Sequence, residues 1–258
     1  MHPAAFTQAS RTSAAPRIVA IVPARYHSTR FPGKALADIP GHPTIEHVHR
    51  LSASAAGVDA VIVATDDQRI AEAVQQFGGR VVMTAASHRT GTDRVAEVAR
   101  GIECDIVINV QGDEPLIPPQ MIEDVVAPFR DPDVVMTTLR RHIDSEDDRL
   151  NPHVVKVVVN RDDDALYFSR ASIPSGRGVT AFKHVGLYGY RRQFLLEFAA
   201  LPQTPLEVSE SLEQLRALEH GFRIRTPETV HESLGVDTPE DLERARRQLD
   251  ALPVSARK

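Results

Sequence analysis

The chain has 258 residues, 42% of them apolar and 25% charged, with a formal net charge of -5 and a single cysteine, Cys104. That length accommodates one large α/β domain or two small ones. The acidic balance and an aromatic content of 5% without tryptophan argue against nucleic acid as a partner. One cysteine excludes an intrachain disulfide and a cysteine zinc cage, which fits a reducing compartment. No apolar stretch approaches the ~20 residues that a bilayer-spanning helix needs, so neither membrane insertion nor export is expected and the location is read as cytoplasmic.

Residues 1–16 are rich in Ala, Ser and Thr and lack both acids and an apolar core, and they are read as a disordered leader. A single domain is expected over 17–252, with a tail at 253–258. Apolar, β-branched runs at 18–22, 60–64, 81–83, 106–110 and 134–138 predict strands. Helical periodicity lies between them, at 44–56, 67–77, 92–100 and 119–129. Near-continuous apolar strands alternating with helices predict an α/β fold, Rossmann-like, with a mostly parallel central sheet covered on both faces. Cys104, at the entry to one such run, reads as a packing residue.

The second half is less regular. Runs at 154–159 and 165–168 predict a hairpin around 160–164, and the Gly/Ser/Arg-rich stretch 174–180 reads as a mobile loop. A strand is expected at 184–190, then helices at 192–199 and 206–220; this hairpin-bearing insertion spans about 151–220. The last helix has clear start signals, with Thr238 as N-cap, Pro239 at the first helical position and Asp241 as the capping-box partner.

The first strand opens into PARYHSTRFPGK, where Arg25, Arg30 and Lys34 place three cations with no acid before Asp38. Small residues let backbone N–H groups approach phosphate oxygens while the cations neutralise them, so the loop suits a polyphosphate. It is not a P-loop, because that motif needs an earlier glycine and a hydroxyl after the lysine, and Ala35 stands at the latter place. In such sheets ligands bind beyond the carboxyl ends of the strands. The basic loop, the Thr65-Asp66-Asp67 turn and Gln111-Gly112-Asp113-Glu114-Pro115 should therefore open on one edge. Asp113, a strand-end carboxylate beside a glycine, suits a magnesium ligand. Asp237 could offer a second carboxylate, although an acid near a helix start is expected in any case because it complements the helix dipole. In HRTGTDR, Thr92-Asp93 reads either as a helix cap or as a turn approaching a base or ribose.

Ten segments occur in one order: PARYHSTRFPGK, VATDD, HRTGTDR, VINVQGDEPLI, NPHVVKVV, LYFSRASIP, KHVGLYGYR, LPQTPLE, SLEQLRALEHG and GVDTPEDLE. Together, over 18–246, the chain resembles the CMP-Kdo synthetases (3-deoxy-manno-octulosonate cytidylyltransferases). The resemblance implies a nucleotidyltransferase fold, CTP and the acidic sugar Kdo as substrates, Mg2+ as cofactor, and a cytoplasmic homodimer serving lipopolysaccharide core synthesis. It implies phosphate contacts from Arg25 and Lys34 with Arg30 as accessory, and magnesium carboxylates at Asp113 and Asp237. The nucleotide side would include Pro23, Ala24, Thr65, Gly91, Thr92 and Gln111, and the sugar pocket Arg170, His184, Tyr188, Glu213 and Gln214. Three departures stand out: Ala85 where many members carry a charge, Leu234 where proline is usual, and a short 175–183 stretch without aromatics. The last leaves open another acceptor, such as 8-amino-Kdo, a sialic-acid-like sugar or a phosphonate. A non-catalytic nucleotide-binding regulator would be expected to lack Asp113, Asp237 or Lys34, and all three are present.

Overall fold

A computed structural model describes residues 15–28, 30–176 and 178–251. Most of the expected leader, and the expected tail, lie outside these residues.

The first half alternates as its periodicity predicts. β1 (Ile18–Ala24) leads through two short strands, β2 (Asp38–Ile39) and β3 (His42–Pro43), into α1 (Thr44–Ser54). β4 (Ala60–Thr65), α2 (Gln68–Gln76), β5 (Arg80–Met83), α3 (Gly91–Arg100), β6 (Ile106–Asn109) and α4 (Pro119–Val126) follow. β5, β4, β1 and β6 lie side by side and parallel. Successive side chains of these strands enter two different cores because a strand alternates its faces. Ala20, Val22, Val61, Val63 and Ile108 pack with Ile45, Ile70, Val74 and Met121 of α1, α2 and α4. Val19, Ile21, Ile62 and Val107 pack on the opposite face with Val95 and Val98 of α3. Each fully buried aliphatic side chain contributes about 1.5–3 kcal/mol, so burial on both faces anchors the edge where the strands end.

The second half adds β7 (Met136–His142), α5 (Glu146–Leu150), β8 (Lys156–Val159), β9 (Ala165–Ser169), β10 (Phe182–Arg191) and α6 (Arg192–Ala200). α7 (Pro205–Glu210), α8 (Leu215–Glu219) and α9 (Pro239–Ala251) complete the order. β8 and β9 form the expected hairpin. β10 extends the same sheet antiparallel to β6, and it is long enough to serve three partners. One of its edges pairs with β7, while the other pairs with β8 at Phe182–Lys183 and with β6 at Tyr188–Arg191. Val185 and Tyr188 bracket a bulge against β7, the kind of irregularity that re-aims side chains beside functional sites. Cys104 packs against the second core, and burial lifts its thiol to about 11.

Three expectations need correction. The helix expected to reach residue 129 gives way to a 3-10 turn, Ala127–Arg130, where Pro128 has no N–H to continue the α-helical ladder. The strand expected at 134–138 begins at Met136 and runs to His142, its outer end paired with Phe182. The single helix expected over 206–220 is two helices, broken at Ser211 in the left-handed region with φ 54°. The break folds Arg216 back onto Glu207, whose carboxylate it meets with two nitrogens, one of them at 2.8 Å. In a continuous helix, residues nine apart would sit ~13 Å apart along the axis and could not pair. Burial works against the Glu207 carboxylate, but the Arg216 guanidinium outweighs it and holds the group below its ordinary range.

Both partners of that pair are buried, at 5% and 4% exposure. Arg216→Met should therefore lower stability by about 3–5 kcal/mol, because the buried Glu207 carboxylate is left without its counter-ion. Urea denaturation measures the loss; an unchanged midpoint would show that the pair does not hold α7 to α8.

Candidate active site

A cleft of about 420 Å3 opens beyond the carboxyl ends of β1 and β6. Pro23, Ala24 and Arg25 of the first strand and its loop form one wall, and Gln111, Gly112 and Asp113 form another. The two walls touch at Gly112, where a Cβ would fall 2.7 Å from the Pro23 carbonyl oxygen. Only glycine lets this backbone pass so close, and the passage brings Asp113 to the loop carrying Arg30 and Lys34.

The centre of the cleft is a charge cluster. The Lys34 Nζ donates to Asp113 at 2.5 Å and to Asp237 at 2.8 Å, and Arg30 donates to the other Asp237 oxygen at 2.8 Å. Burial alone would lower the Lys34 pKa, but Asp113 and then Asp237 outweigh it, leaving the ammonium above the ordinary lysine value. Arg25 lines the same cleft and has no ion-pair partner among the described residues.

Asp237 reaches this point because other groups cap α9. The Asp241 carboxylate accepts the N–H groups of Asp237 and Thr238, at 3.1 and 3.0 Å, and the Thr238 hydroxyl accepts the N–H of Asp241. The side chain of Asp237 is thereby free to meet cations. Its neighbour Val236 is fully buried against Ile39 and Leu242 and donates its N–H to the Asp113 carbonyl at 2.7 Å. Asp237 thus stands just ahead of α9 with its carboxylate in the cleft, against Lys34 and Arg30.

The remaining motifs divide. Gly91 lines the cleft, but Thr65 and Thr92 are not among its lining residues. The buried Thr65 hydroxyl accepts the N–H of Asp67 at 3.2 Å, and the Thr92 hydroxyl donates to Glu213. The helix after HRTG is capped two residues earlier than expected, by a Thr90–Asp93 capping box. Asp66 pairs at 3.0 Å with Arg94, whose side chain is fully buried.

The expected sugar-side residues sit apart from the phosphate cleft. The His184 ring lies between Phe168 and Tyr188, with centroids 5.0 and 5.5 Å away, and its Nε2 meets the Thr138 hydroxyl at 2.9 Å. Gln214 is 3% exposed, and its amide nitrogen has no hydrogen-bond partner among the described residues; Glu213 Oε1 makes no hydrogen bond there either but faces Arg216 Nη2 at 3.5 Å. Burial raises the Glu213 carboxyl above its ordinary value. Arg170 is tied elsewhere, its guanidinium donating to the carbonyls of Glu210 at 3.0 Å and Pro152 at 3.2 Å. The Gln111 amide donates to the Gly186 carbonyl of β10 at 3.3 Å, between the stretches of that strand held by β8 and β6. A second cavity of about 350 Å3 includes Glu114 and His184. Burial, reinforced by the charge of Asp113, lifts the Glu114 carboxyl to about 7. Sequence reasoning left out His27, Ser28 and Gly112 of the phosphate cleft. Their membership of the basic loop and of the QGDEP turn was the available signal.

This fold and cleft are those of an α/β nucleotidyltransferase. A family model described as cytidylyltransferase matches residues 19–226. The 3-deoxy-manno-octulosonate cytidylyltransferase of Geobacter metallireducens is 55% identical, over 92% of this chain and 100% of that relative. Its namesake from Geobacter sulfurreducens is 56% identical, over 90% and 99%. A solved CMP:2-keto-3-deoxy-manno-octonic acid synthetase complexed with CTP superposes with a TM-score of 0.87 at 47% identity, covering 91% of this chain and 98% of that one. The chain belongs to the 3-deoxy-manno-octulosonate cytidylyltransferase family.

Burial holds the His184 imidazole down to about 3, against ~6.5 in an unfolded chain. The unfolded chain takes up a proton below pH ~6.5 that the folded one refuses, so stability is complete above that pH and is lost progressively toward pH 3. His184→Asn should flatten the fall in stability between pH 7 and 5, by up to about 2 kcal/mol at pH 5. Parallel pH profiles for the two proteins in urea denaturation would show that His184 is protonated normally in the fold.

Proposed function

We propose that this protein transfers the cytidylyl group of CTP to 3-deoxy-manno-octulosonate, giving the CMP-sugar and pyrophosphate for lipopolysaccharide core synthesis. The observation that carries the reading is the convergence of Asp113 and Asp237 on one cation-sized position, inside a cleft that also presents Arg25, Arg30 and Lys34. The family and the CTP-bound structural relative supply the nucleotide and the sugar.

The chemistry follows from charge. The anomeric hydroxyl of the sugar attacks the α-phosphorus in line, a new P–O bond forms, and the bond to the β-phosphate oxygen breaks as pyrophosphate leaves. Negative charge grows on the non-bridging oxygens and on the leaving group. Arg25, Arg30 and Lys34 stand where they would neutralise it, and such fixed cations act more strongly inside a cleft than in open water.

Two carboxylates whose oxygens lie 2.5 and 2.8 Å from a single ammonium also fit a magnesium ion, which prefers hard oxygen ligands. Among the described residues no cluster of three or more His, Cys, Asp or Glu could hold a metal, so water and phosphate oxygens would complete the coordination shell. When bound, Mg2+ supplies charge neutralisation at the phosphates, with Asp113 and Asp237 as its holders.

On the acceptor side, the Gln214 amide nitrogen, without a hydrogen-bond partner among the described residues, suits the hydroxyls of a polyol, and Glu213, His184 and Tyr188 are proposed to share that pocket. Arg170 is proposed to meet the sugar carboxylate, which requires it to exchange backbone carbonyls for a charged partner. Homodimer formation is supported by the exposed Leu166 on β9 and the exposed Leu206 and Val208 on α7. A cytoplasmic location agrees with the substrates, and among the described residues no helix is long and apolar enough to cross a membrane.

Asp113→Ala and Asp237→Ala should each lower kcat by at least ~100-fold, equivalent to about 2.7 kcal/mol of transition-state stabilisation, with little change in melting temperature. Full activity of Asp237→Ala at saturating Mg2+ would remove that residue from the site. Gln214→Ala should lower kcat/KM for the sugar by up to about 10-fold while leaving the KM for CTP in place, since a neutral hydrogen bond is lost. The direct test is pyrophosphate release with CTP across Kdo, 8-amino-Kdo, a sialic acid and a phosphonate. Preference for any of the last three by more than ~10-fold, about 1.4 kcal/mol, would overturn the sugar assignment and keep the cytidylyl transfer.

A further inference from the structure

The phosphate loop is fastened to the neighbouring strand-helix unit by a contact outside the reacting groups. The Tyr26 carbonyl accepts the N–H of Gly33 at 2.8 Å, which closes the loop at its base. The Tyr26 ring also lies against Gly33, where a Cβ would come within 3.2–3.3 Å of its ring edge and hydroxyl, and Gly33 has a φ of +76°. The residues immediately outside this closure are Arg25 and Lys34.

The ring is held from its other surroundings too. The Arg69 guanidinium carbon stands 3.3 Å from the Tyr26 ring centroid, within the range of a cation–π stack. Arg69 is in turn locked to the Asp67 carboxylate through Nε at 2.9 Å and Nη2 at 2.7 Å. Asp67 is the N-cap of α2 and accepts the N–H of Arg69 at 3.0 Å. A continuous series of contacts therefore runs from the start of α2 through Asp67, Arg69 and Tyr26 to Gly33, one residue before Lys34. It also gives the second acid of the VATDD motif a role that the chemistry of the cleft does not use.

We propose that Tyr26 and Arg69 are positioning residues: their stack against Gly33 holds the loop shut, so that Arg25 and Lys34 are set to receive the triphosphate before it arrives. The proposal rests on the reading of this cleft as a CTP site. A loop already closed loses less conformational freedom when the ligand binds, so its loosening appears in nucleotide affinity.

Calorimetric titration of CTP with Mg2+ into the whole protein tests it, using Tyr26→Phe, Tyr26→Leu, Arg69→Ala and the Tyr26→Leu/Arg69→Ala double variant. Tyr26→Phe keeps the ring and should bind CTP as the wild type does. Arg69→Ala should weaken CTP binding by about 2–5-fold, the size of a cation–π stack. Tyr26→Leu should weaken it by about 10-fold or more, since misplacement of charged groups is costly. Because the two act through one stack, the double variant should be no weaker than Tyr26→Leu alone. The KM for the sugar acid at saturating CTP should stay within about 2-fold, a split that a general loss of structure would not produce.

Arg69 is half exposed, so Arg69→Ala carries the test even where Tyr26→Leu folds poorly. Wild-type affinity in Arg69→Ala, or independent losses that multiply in the double variant, would overturn the clamp while leaving the CTP site intact. Failure of the wild type to bind CTP would instead overturn the nucleotide reading, and the clamp with it.

Discussion

One ammonium group ties the site together. Lys34 binds two carboxylates that stand 79 and 203 positions away in the chain, one at the end of a central strand and one just before the last helix. Two aspartates brought this close repel each other unless a cation stands between them. The ion pair thus lets three remote segments meet, and it defines a place where positive charge is welcome beside a basic loop. Arg30 adds a second cation to the outer face of Asp237.

That interaction depends on ordinary packing. Both faces of the parallel strands are buried, so their ends are held at a fixed edge. A small third cluster, with Ile39, Val236 and Leu242, seats the start of α9 against β2. The backbone contact from Val236 to the Asp113 carbonyl then joins the two carboxylate-bearing segments directly. Capping by Asp241 leaves Asp237 to the cleft. Each step is a local rule, a helix cap or a buried aliphatic side chain, and the geometry of the cleft is their joint consequence.

The acceptor side is built differently. Here the cost is carried by the buried Gln214 amide nitrogen, which has no hydrogen-bond partner among the described residues, a state native folds retain chiefly where a ligand or function needs it. The Ser211 break and the Glu207–Arg216 pair place these two residues at the start of α8. A single unbroken helix would carry them in another direction, so the break decides where these two residues lie.

Short-range patterns in the chain were enough to predict the alternating parallel core, the hairpin at β8 and β9, the capping of α9 and the basic loop with its strand-end aspartate. Each rests on neighbours a few residues apart, whose periodicity and turn chemistry do not depend on the rest of the molecule. The helix break at Ser211, the extension of β7 to His142, and the diversion of Thr65 and Thr92 into structural hydrogen bonds were settled only in three dimensions. So were the meeting of Asp237 with Lys34 and the stack of Arg69 on Tyr26. Apart from the local Thr65–Asp67 contact, these features turn on residues brought together only by the folded packing, where burial makes an unpaired charge or hydroxyl costly and decides which partner is within reach.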